Sequence, residues 1–312
     1  MKVNAGFLFP GQGSQYAGMG KDIYGQYADA RQVYDTVSEQ SGIDVPELSF
    51  KRSDGRLKES EYAQIAIFTL SLAVLKILGS AGVVPPVVAG HSLGQYSALV
   101  ACGALAMEDG IELVKERGKL MSEACRSFPG AMAAVEGLTR EQVVALCAGK
   151  ERSDTCWIAN HNTRSQFVIS GPREGVFTAI NNAKQEGGRA ILLPVSGAFH
   201  SPLMQGPSRR LNACIESLSI NTPVCPIIGN VGATVLSGPH EIVAEMMHHM
   251  LSPVRWYESI ETMLNRGTTR YLEVGPGSVL KGLVLRIRRT AEVCTTSTLR
   301  ELEITLERTR NA

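Results

Sequence analysis

The stretch Gly90-His91-Ser92-Leu93-Gly94 constrains this chain more than any other. A β-branched run, Val83 to Val88, interrupted by Pro85-Pro86, leads into it, and a helical segment from Tyr96 to Ala101 follows at once. Strand, tight turn and helix with Gly-x-Ser-x-Gly at the turn describe an elbow in which the glycines leave room for neighbouring backbone. Such a turn pushes the serine hydroxyl out at a helix N-terminus, where free N–H groups and the positive end of the helix dipole favour a developing oxyanion. Gly and Ser are common in ordinary turns, so the flanking strand and helix are what give the pattern its meaning.

Around the elbow, strand and helix signals alternate, which predicts a parallel sheet covered on both faces. A short strand from Val3 to Phe9 ends at Pro10-Gly11-Gln12-Gly13-Ser14-Gln15. With no Lys-Ser/Thr and no third glycine at dinucleotide spacing, this loop reads as a source of backbone N–H groups for a site, not as a phosphate cradle. Helices are expected from Asp22 to Ser41, Glu61 to Leu78 and Met107 to Ser127. The second is apolar nearly all round, and its longest apolar run, Ile65 to Leu78, is too short to span a bilayer, so it reads as a buried helix.

From Ala131 to Val195 the pattern changes. Strand 131–135, helix 139–148, strands 156–160 and 166–170, helix 173–185 and strand 190–195 give βαββαβ, the ferredoxin-like order. Thr139 with Gln142 three residues on marks the first helix start. Signals of the earlier kind then resume, as helix Pro202–Ser217, strand Pro226–Gly229, helices Glu241–Met250 and Tyr257–Asn265, strand Tyr271–Val274 and helix Ser278–Arg286. The expected fold is α/β, with a large domain of residues 1–128 and 198–312 and an inserted small domain of residues 129–197. Beyond Thr290 the chain is polar, with no clear strand and a last helix from Leu299 to Arg308.

With 44% hydrophobic and 20% charged residues and a net charge of +1, the 312-residue chain reads as an ordinary soluble protein with no global attraction to nucleic acid or membrane. Seven scattered cysteines without a Cys-x-x-Cys read as reduced thiols of a cytoplasmic protein, not as a redox or zinc site. Pro10-Gly11 cuts short the Phe7-Leu8-Phe9 run, so it does not read as a secretory signal.

A serine nucleophile needs a base and something to orient that base. Of the six histidines, His91 adjoins the serine on the far side of the turn and reads as structural; His161 lies in the small-domain hairpin, and His240, His248 and His249 lie in or beside one helix. Adjacent His248 and His249 point about 100° apart on a helix, which is poor metal geometry. His200, in Gly197-Ala198-Phe199-His200-Ser201, stands where the chain re-enters the large domain and is the candidate base. Arg117 is either a surface cation or an inward-facing clamp for a carboxylate, and periodicity leaves both readings open.

Phe9-Pro10-Gly11-Gln12-Gly13-Ser14-Gln15, Gly90 to Gly94, Arg117 and Gly197 to Ser201, in this order and at these intervals, resemble the malonyl-CoA:acyl carrier protein transacylase family of bacterial fatty acid synthesis. Val168-Ile169-Ser170-Gly171 and Glu273-Val274-Gly275-Pro276-Gly277 extend the resemblance over nearly the whole chain. It implies an α/β-hydrolase-like large domain carrying the ferredoxin-like insertion. It also implies Ser92 as the acylated nucleophile, His200 as base, Arg117 as malonyl clamp, and the N–H groups of Gln12 and Leu93 as oxyanion hole. Gln64 resembles a pocket-lining glutamine. Phe199 occupies the space an α-methyl group would need, which goes with malonyl selectivity. His249, counted with Arg117, Gln64 and Phe199 among the substrate-binding residues, stands where the family orients its base through a main-chain carbonyl and more usually has glutamine or asparagine. Gln95 replaces a usual glutamate. Malonyl-CoA and acyl carrier protein are the implied partners of a monomeric enzyme, with no metal or redox cofactor. The Arg286, Arg288 and Arg289 run, with Lys281 nearby, reads either as a docking patch for the acidic carrier or as a solvated helix end. An esterase or thioesterase shares the elbow but would call for a catalytic acid between serine and histidine; a polyketide-pathway transacylase and a non-catalytic docking protein are the other readings.

Overall fold

β1 (Gly6–Phe9) is apolar on both faces because both faces are covered: Phe7 and Phe9 enter one core cluster and Leu8 another. The computed structural model describes residues 5–51, 55–149, 151 and 154–310, so residues 3 and 4 of the expected first strand lie outside the described residues. The remaining strands are β2 (Val88–Gly90), β3 (Gly130–Glu136), β4 (Trp157–Thr163), β5 (Gln166–Pro172), β6 (Arg189–Leu192), β7 (Ile227–Ile228), β8 (Val235–Leu236), β9 (Arg270–Glu273) and β10 (Glu292–Thr295).

The first sheet has six strands in the order β10-β9-β1-β2-β7-β8, parallel except for the antiparallel pairing of β8 with β7. On the face of Phe7 and Phe9 lie helices Ala28–Ser41, Ser60–Ser80, Met107–Ser127, Gln205–Glu216 and Pro239–His249. On the face of Leu8 lie Trp256–Asn265 and Val279–Ile287. The Ser60–Ser80 helix is apolar enough to cross a membrane by composition, yet fifteen of its residues are buried, so its all-round apolarity is that of a core helix.

The second sheet is antiparallel in the order β4-β5-β3-β6. With the helices Arg140–Cys147 and Arg173–Gln185 it forms the βαββαβ unit, in the strand order of a ferredoxin-like fold. The Thr139–Gln142 capping box is formed. Alternation along β3 assigns its faces: Ala131, Ala133 and Val135 pack on those two helices, while Met132 and Ala134 face the large sheet and line the cavity between the sheets. The edge of β4 is closed by the other body, since the His161 N–H donates to the Val254 carbonyl and the Val254 N–H to the Ala159 carbonyl, at 2.9 and 2.8 Å.

Several local expectations are corrected. The helix expected from Asp22 to Ser41 is two, Lys21–Gln26 and Ala28–Ser41, broken where extended Tyr27 packs on the core. The run Val83 to Val88 contributes only Val88 to a strand; Pro85 and Pro86 have no N–H to give a ladder. A helix at Val45–Phe50, capped by Asp44, was not anticipated. The polar segment after Thr290 does contain a strand, β10, because its backbone pairs with the edge of β9 whatever its side chains.

The large sheet and the elbow meet through backbone contact. A Cβ added to Gly94 would stand 1.9 Å from the Phe9 carbonyl oxygen, and one on Gly90 would stand 2.0 Å from the Gly94 carbonyl carbon. Gly94→Ala is therefore expected to lower stability by about 3 kcal/mol and to abolish Ser92 reactivity. Thermal unfolding together with labelling by a serine-directed probe checks both.

Candidate active site

Ser92 stands between β2 and helix Gly94–Ala101 with φ of 50°, in the left-handed region. A non-glycine residue pays about 1–3 kcal/mol to stay there and does so only when its surroundings over-determine it. His200 is also left-handed, at φ 54°, in a turn closed by Ser201 Oγ donating to the Ala198 carbonyl at 2.6 Å. These two strained residues meet, with Ser92 Oγ 2.7 Å from His200 Nε2.

The tautomer of His200 follows from its neighbours. Nδ1 faces two carbonyl oxygens, of His249 at 3.1 Å and Ser252 at 3.0 Å. Carbonyls accept, so Nδ1 carries the hydrogen and Nε2 is left to accept from the serine hydroxyl. Main-chain oxygens thus orient this imidazole. Burial pulls His200 down to about 3, and the nearby Arg117 cation adds to that effect. At neutral pH the ring is uncharged, the state a proton acceptor needs.

Arg117 faces inward and is 1% exposed. Gly118 makes room for it: a Cβ there would meet the Glu61 Cα at 2.9 Å, so this helix can back closely onto the start of the Ser60–Ser80 helix. Nη1 donates to Gln64 Oε1 at 2.6 Å, Nη2 to Ser92 Oγ at 3.1 Å, and the guanidinium lies 5.4 Å above the centre of the Tyr96 ring. Among the described residues no carboxylate pairs with it, and its Nε has no partner. A buried cation held by neutral groups alone, beside a nucleophile, is built to receive an anion.

A cavity of about 660 Å³ opens onto Ser92, His200 and Arg117 from between the two sheets. Gln12 and Phe199 line it, as expected. Gly197 lets the phenyl ring fold back over the chain, since a Cβ there would stand 2.3 Å from Phe199 Cε1. Neither the Gln12 nor the Leu93 N–H donates to any acceptor among the described residues, which leaves both for an oxyanion beside Ser92.

Two expected pocket residues are placed elsewhere. Gln64 is fully buried behind Arg117, its amide spent on that guanidinium, on Gln12 Oε1 and on Met121 Sδ. His249 also lies outside the cavity wall; its carbonyl faces His200 and its ring faces Asn230. Conversely, His91 does line the cavity, with Nε2 2.9 Å from Asn162 Oδ1, and burial holds its basicity down. The second carbonyl on His200, from Ser252, and the Asn230 side chain beside Ser92 were also not anticipated. Asn230 had one available signal: it follows a strand that ends at the same edge of the sheet as the elbow strand. Among the described residues no three His, Cys, Asp or Glu side chains gather as a metal site would require.

A strained serine, a neutral imidazole taking its proton, two free N–H groups and a waiting cation make an acyl-transfer site for a carboxylated acyl group. Residues 6–299 match the acyl transferase domain family, and the chain belongs to that family. Within it, the chain is 39% identical over 303 residues to the malonyl CoA-acyl carrier protein transacylase of Bacillus subtilis strain 168, across 96% of each chain. A solved malonyl CoA-acyl carrier protein transacylase from Clostridium perfringens superposes with a TM-score of 0.93 at 37% identity, over 99% of this chain and 98% of that one. The polyketide biosynthesis protein ThaF of Burkholderia thailandensis is 38% identical over 283 residues, 90% of this chain and 24% of that one.

The depressed basicity of His200 has a direct readout. Its proton-accepting form persists well below the pH at which an ordinary histidine protonates. Labelling of Ser92 by a fluorophosphonate is therefore expected to hold its rate between roughly pH 5 and 8. A loss of rate centred near the ordinary histidine value would contradict the assignment.

Proposed function

We propose that this chain transfers the malonyl group of malonyl-CoA to the phosphopantetheine thiol of acyl carrier protein through a malonyl ester on Ser92. The observation that carries the substrate is Arg117, a buried guanidinium without a carboxylate partner whose Nη2 is 3.1 Å from Ser92 Oγ. The free malonyl carboxylate supplies what that cation lacks, in the bidentate geometry a guanidinium favours.

The reaction runs in two halves. Ser92 passes its proton to His200 Nε2 and attacks the thioester carbonyl. The resulting oxyanion is held by the Gln12 and Leu93 N–H groups, and the coenzyme A thiolate leaves with the proton from His200. The carrier thiol then gives its proton to His200, attacks the ester and takes the malonyl group, returning Ser92 to its hydroxyl. Pairing of the malonyl carboxylate with Arg117 offsets the positive charge that weakens His200, so the base gains strength when the right acyl group is bound. Phe199 fills the space beside the acyl chain, and excluding one methyl there is worth about 1–3 kcal/mol, a preference for malonyl over branched groups. The chemistry uses no metal or redox cofactor. Fatty acid synthesis is the pathway this transfer would serve, and the seven unpaired cysteines support a cytoplasmic enzyme.

The cavity supports a pantetheine arm as well. Asn160, Asn162 and Gln166 offer amides along one wall, and Met132, Val168 and Leu283 offer apolar surface. The arm itself alternates amide and methylene groups. At the mouth, Arg286 is tied to Glu136 at 2.9 Å, and Arg288 and Arg289 are exposed.

Intact mass after exposure to malonyl-CoA is expected to rise by one malonyl group in the wild type and not in Ser92→Ala. In Arg117→Ala, loss of the buried charge pair is expected to cost about 3 kcal/mol, roughly a hundredfold in malonyl transfer, while acetyl transfer gains. Retained malonyl transfer without an acetyl gain would remove the clamp. Rapid hydrolysis without transfer would favour a thioesterase instead. Reversing the charges of Arg288 and Arg289 is expected to raise KM for the carrier about fivefold, at about 0.5 kcal/mol per exposed charge, and to leave KM for malonyl-CoA unchanged; equal kinetics for both substrates would remove the docking patch.

A further inference from the structure

We propose that Asn230 is a positioning residue that holds nucleophile and base in register, an inference that rests on the roles of Ser92 and His200 given above. Asn230 is fully buried, follows β7, and has no atom in the cavity wall. Its amide bridges the elbow. Oδ1 accepts the Ser92 N–H at 2.8 Å, and Nδ2 donates to the Gly90 carbonyl at 2.7 Å. A main-chain N–H only donates and a carbonyl only accepts, so these two partners fix which way the amide faces.

The remaining valences reach further. Nδ2 gives its second hydrogen to Gln95 Oε1 at 2.9 Å, and Oδ1 lies 3.2 Å from His249 Nε2. That ring nitrogen therefore carries a hydrogen, and the amide is fully used. Gln95 supplies the same acceptor a glutamate would. Asn230 is itself anchored from behind, because its N–H and that of Val231 donate to the buried Glu245 carboxylate and its carbonyl accepts the Arg255 N–H at 2.9 Å.

This arrangement bears on the reaction at two points. Ser92 is held in a left-handed backbone, and the peptides on either side of it could relieve that strain by rotating, which would swing Oγ away from His200 Nε2. Asn230 grips an N–H and a carbonyl of the elbow and blocks the rotation. On its other side it holds the ring of His249, whose carbonyl aims His200 Nδ1. One side chain thus links the residue that is acylated to the residue that orients the base. Displacing such a pair by about 1 Å costs on the order of a hundredfold in rate.

The test is single-turnover acylation of Ser92 by malonyl-CoA, followed by intact mass in the wild type, Asn230→Ala and Asn230→Asp. Asn230→Ala is expected to acylate about a hundredfold more slowly, with the half-saturating malonyl-CoA concentration within about twofold of wild type. The aspartate variant distinguishes positioning from packing. Protonated, its carboxyl offers an O–H to Gly90 and an oxygen to the Ser92 N–H, as asparagine does; ionised, it sets an acceptor against the Gly90 carbonyl. The titratable groups around position 230 are Glu245 and His249 of the Pro239–His249 helix, with His200 and Arg117 across Ser92. Acylation by Asn230→Asp is therefore expected to approach wild type in acid and to fall as pH rises, a descending limb absent from the wild type. Wild-type acylation rates in a folded Asn230→Ala, or a wild-type pH profile in Asn230→Asp, would overturn the proposal. If Asn230→Ala fails to fold, the aspartate profile decides alone. Absence of acylation in the wild type would instead overturn the reading of Ser92 on which the proposal rests.

Discussion

Everything at this site depends on a contact between pieces of main chain. Gly90, Gly94 and the Phe9 carbonyl approach so closely that no side chain fits among them, and the turn between the glycines has nowhere to go but outward. Ser92 is carried at its tip, at the start of a helix, with its hydroxyl facing His200. The central position of β1 matters for the same reason, since its end supplies both the carbonyl that Gly94 touches and the loop that carries Gln12. The nucleophile and one of the two free N–H groups are therefore set by the same strand pair.

The electrostatics are built around an imbalance. Burying a guanidinium without a counter-charge is costly, and the fold offsets part of that cost with a glutamine, a serine hydroxyl and a ring face. The same cation weakens the neighbouring base. Both penalties are relieved by one event, the arrival of an anion. Recognition and activation are thus the same interaction seen from the two ends of the substrate's carboxylate.

How far this could be read from the sequence depended on the range of the interactions. The elbow was legible because strand, glycines and helix are neighbours in the chain. The ferredoxin-like insertion was legible because its six elements are consecutive and its Thr139–Gln142 cap is local. Arg117 was legible as a position but not as a direction, because helix periodicity does not say which neutral groups will surround a cation. Gln64 and His249 were assigned to the pocket wall, and tertiary packing instead set them one layer behind it, on Arg117 and Asn230. β10 was missed because a four-residue edge strand owes its pairing to the neighbour it meets. Asn230 left almost no trace, since it lies 138 residues from the serine it contacts and follows a strand of two residues.

The closure of the β4 edge has a mechanical side. The segment that pairs with β4 through Val254 is continuous with Ser252, whose carbonyl is one of the two that aim His200. The cavity wall contributed by the small sheet and the sight-line of the base are therefore geared to one another through two residues of chain. Any displacement that widened the cleft by pulling β4 outward would draw on that carbonyl and detune the imidazole. One short run of chain, from Ser252 to Val254, therefore carries both the seam between the two sheets and one of the two carbonyls that face His200.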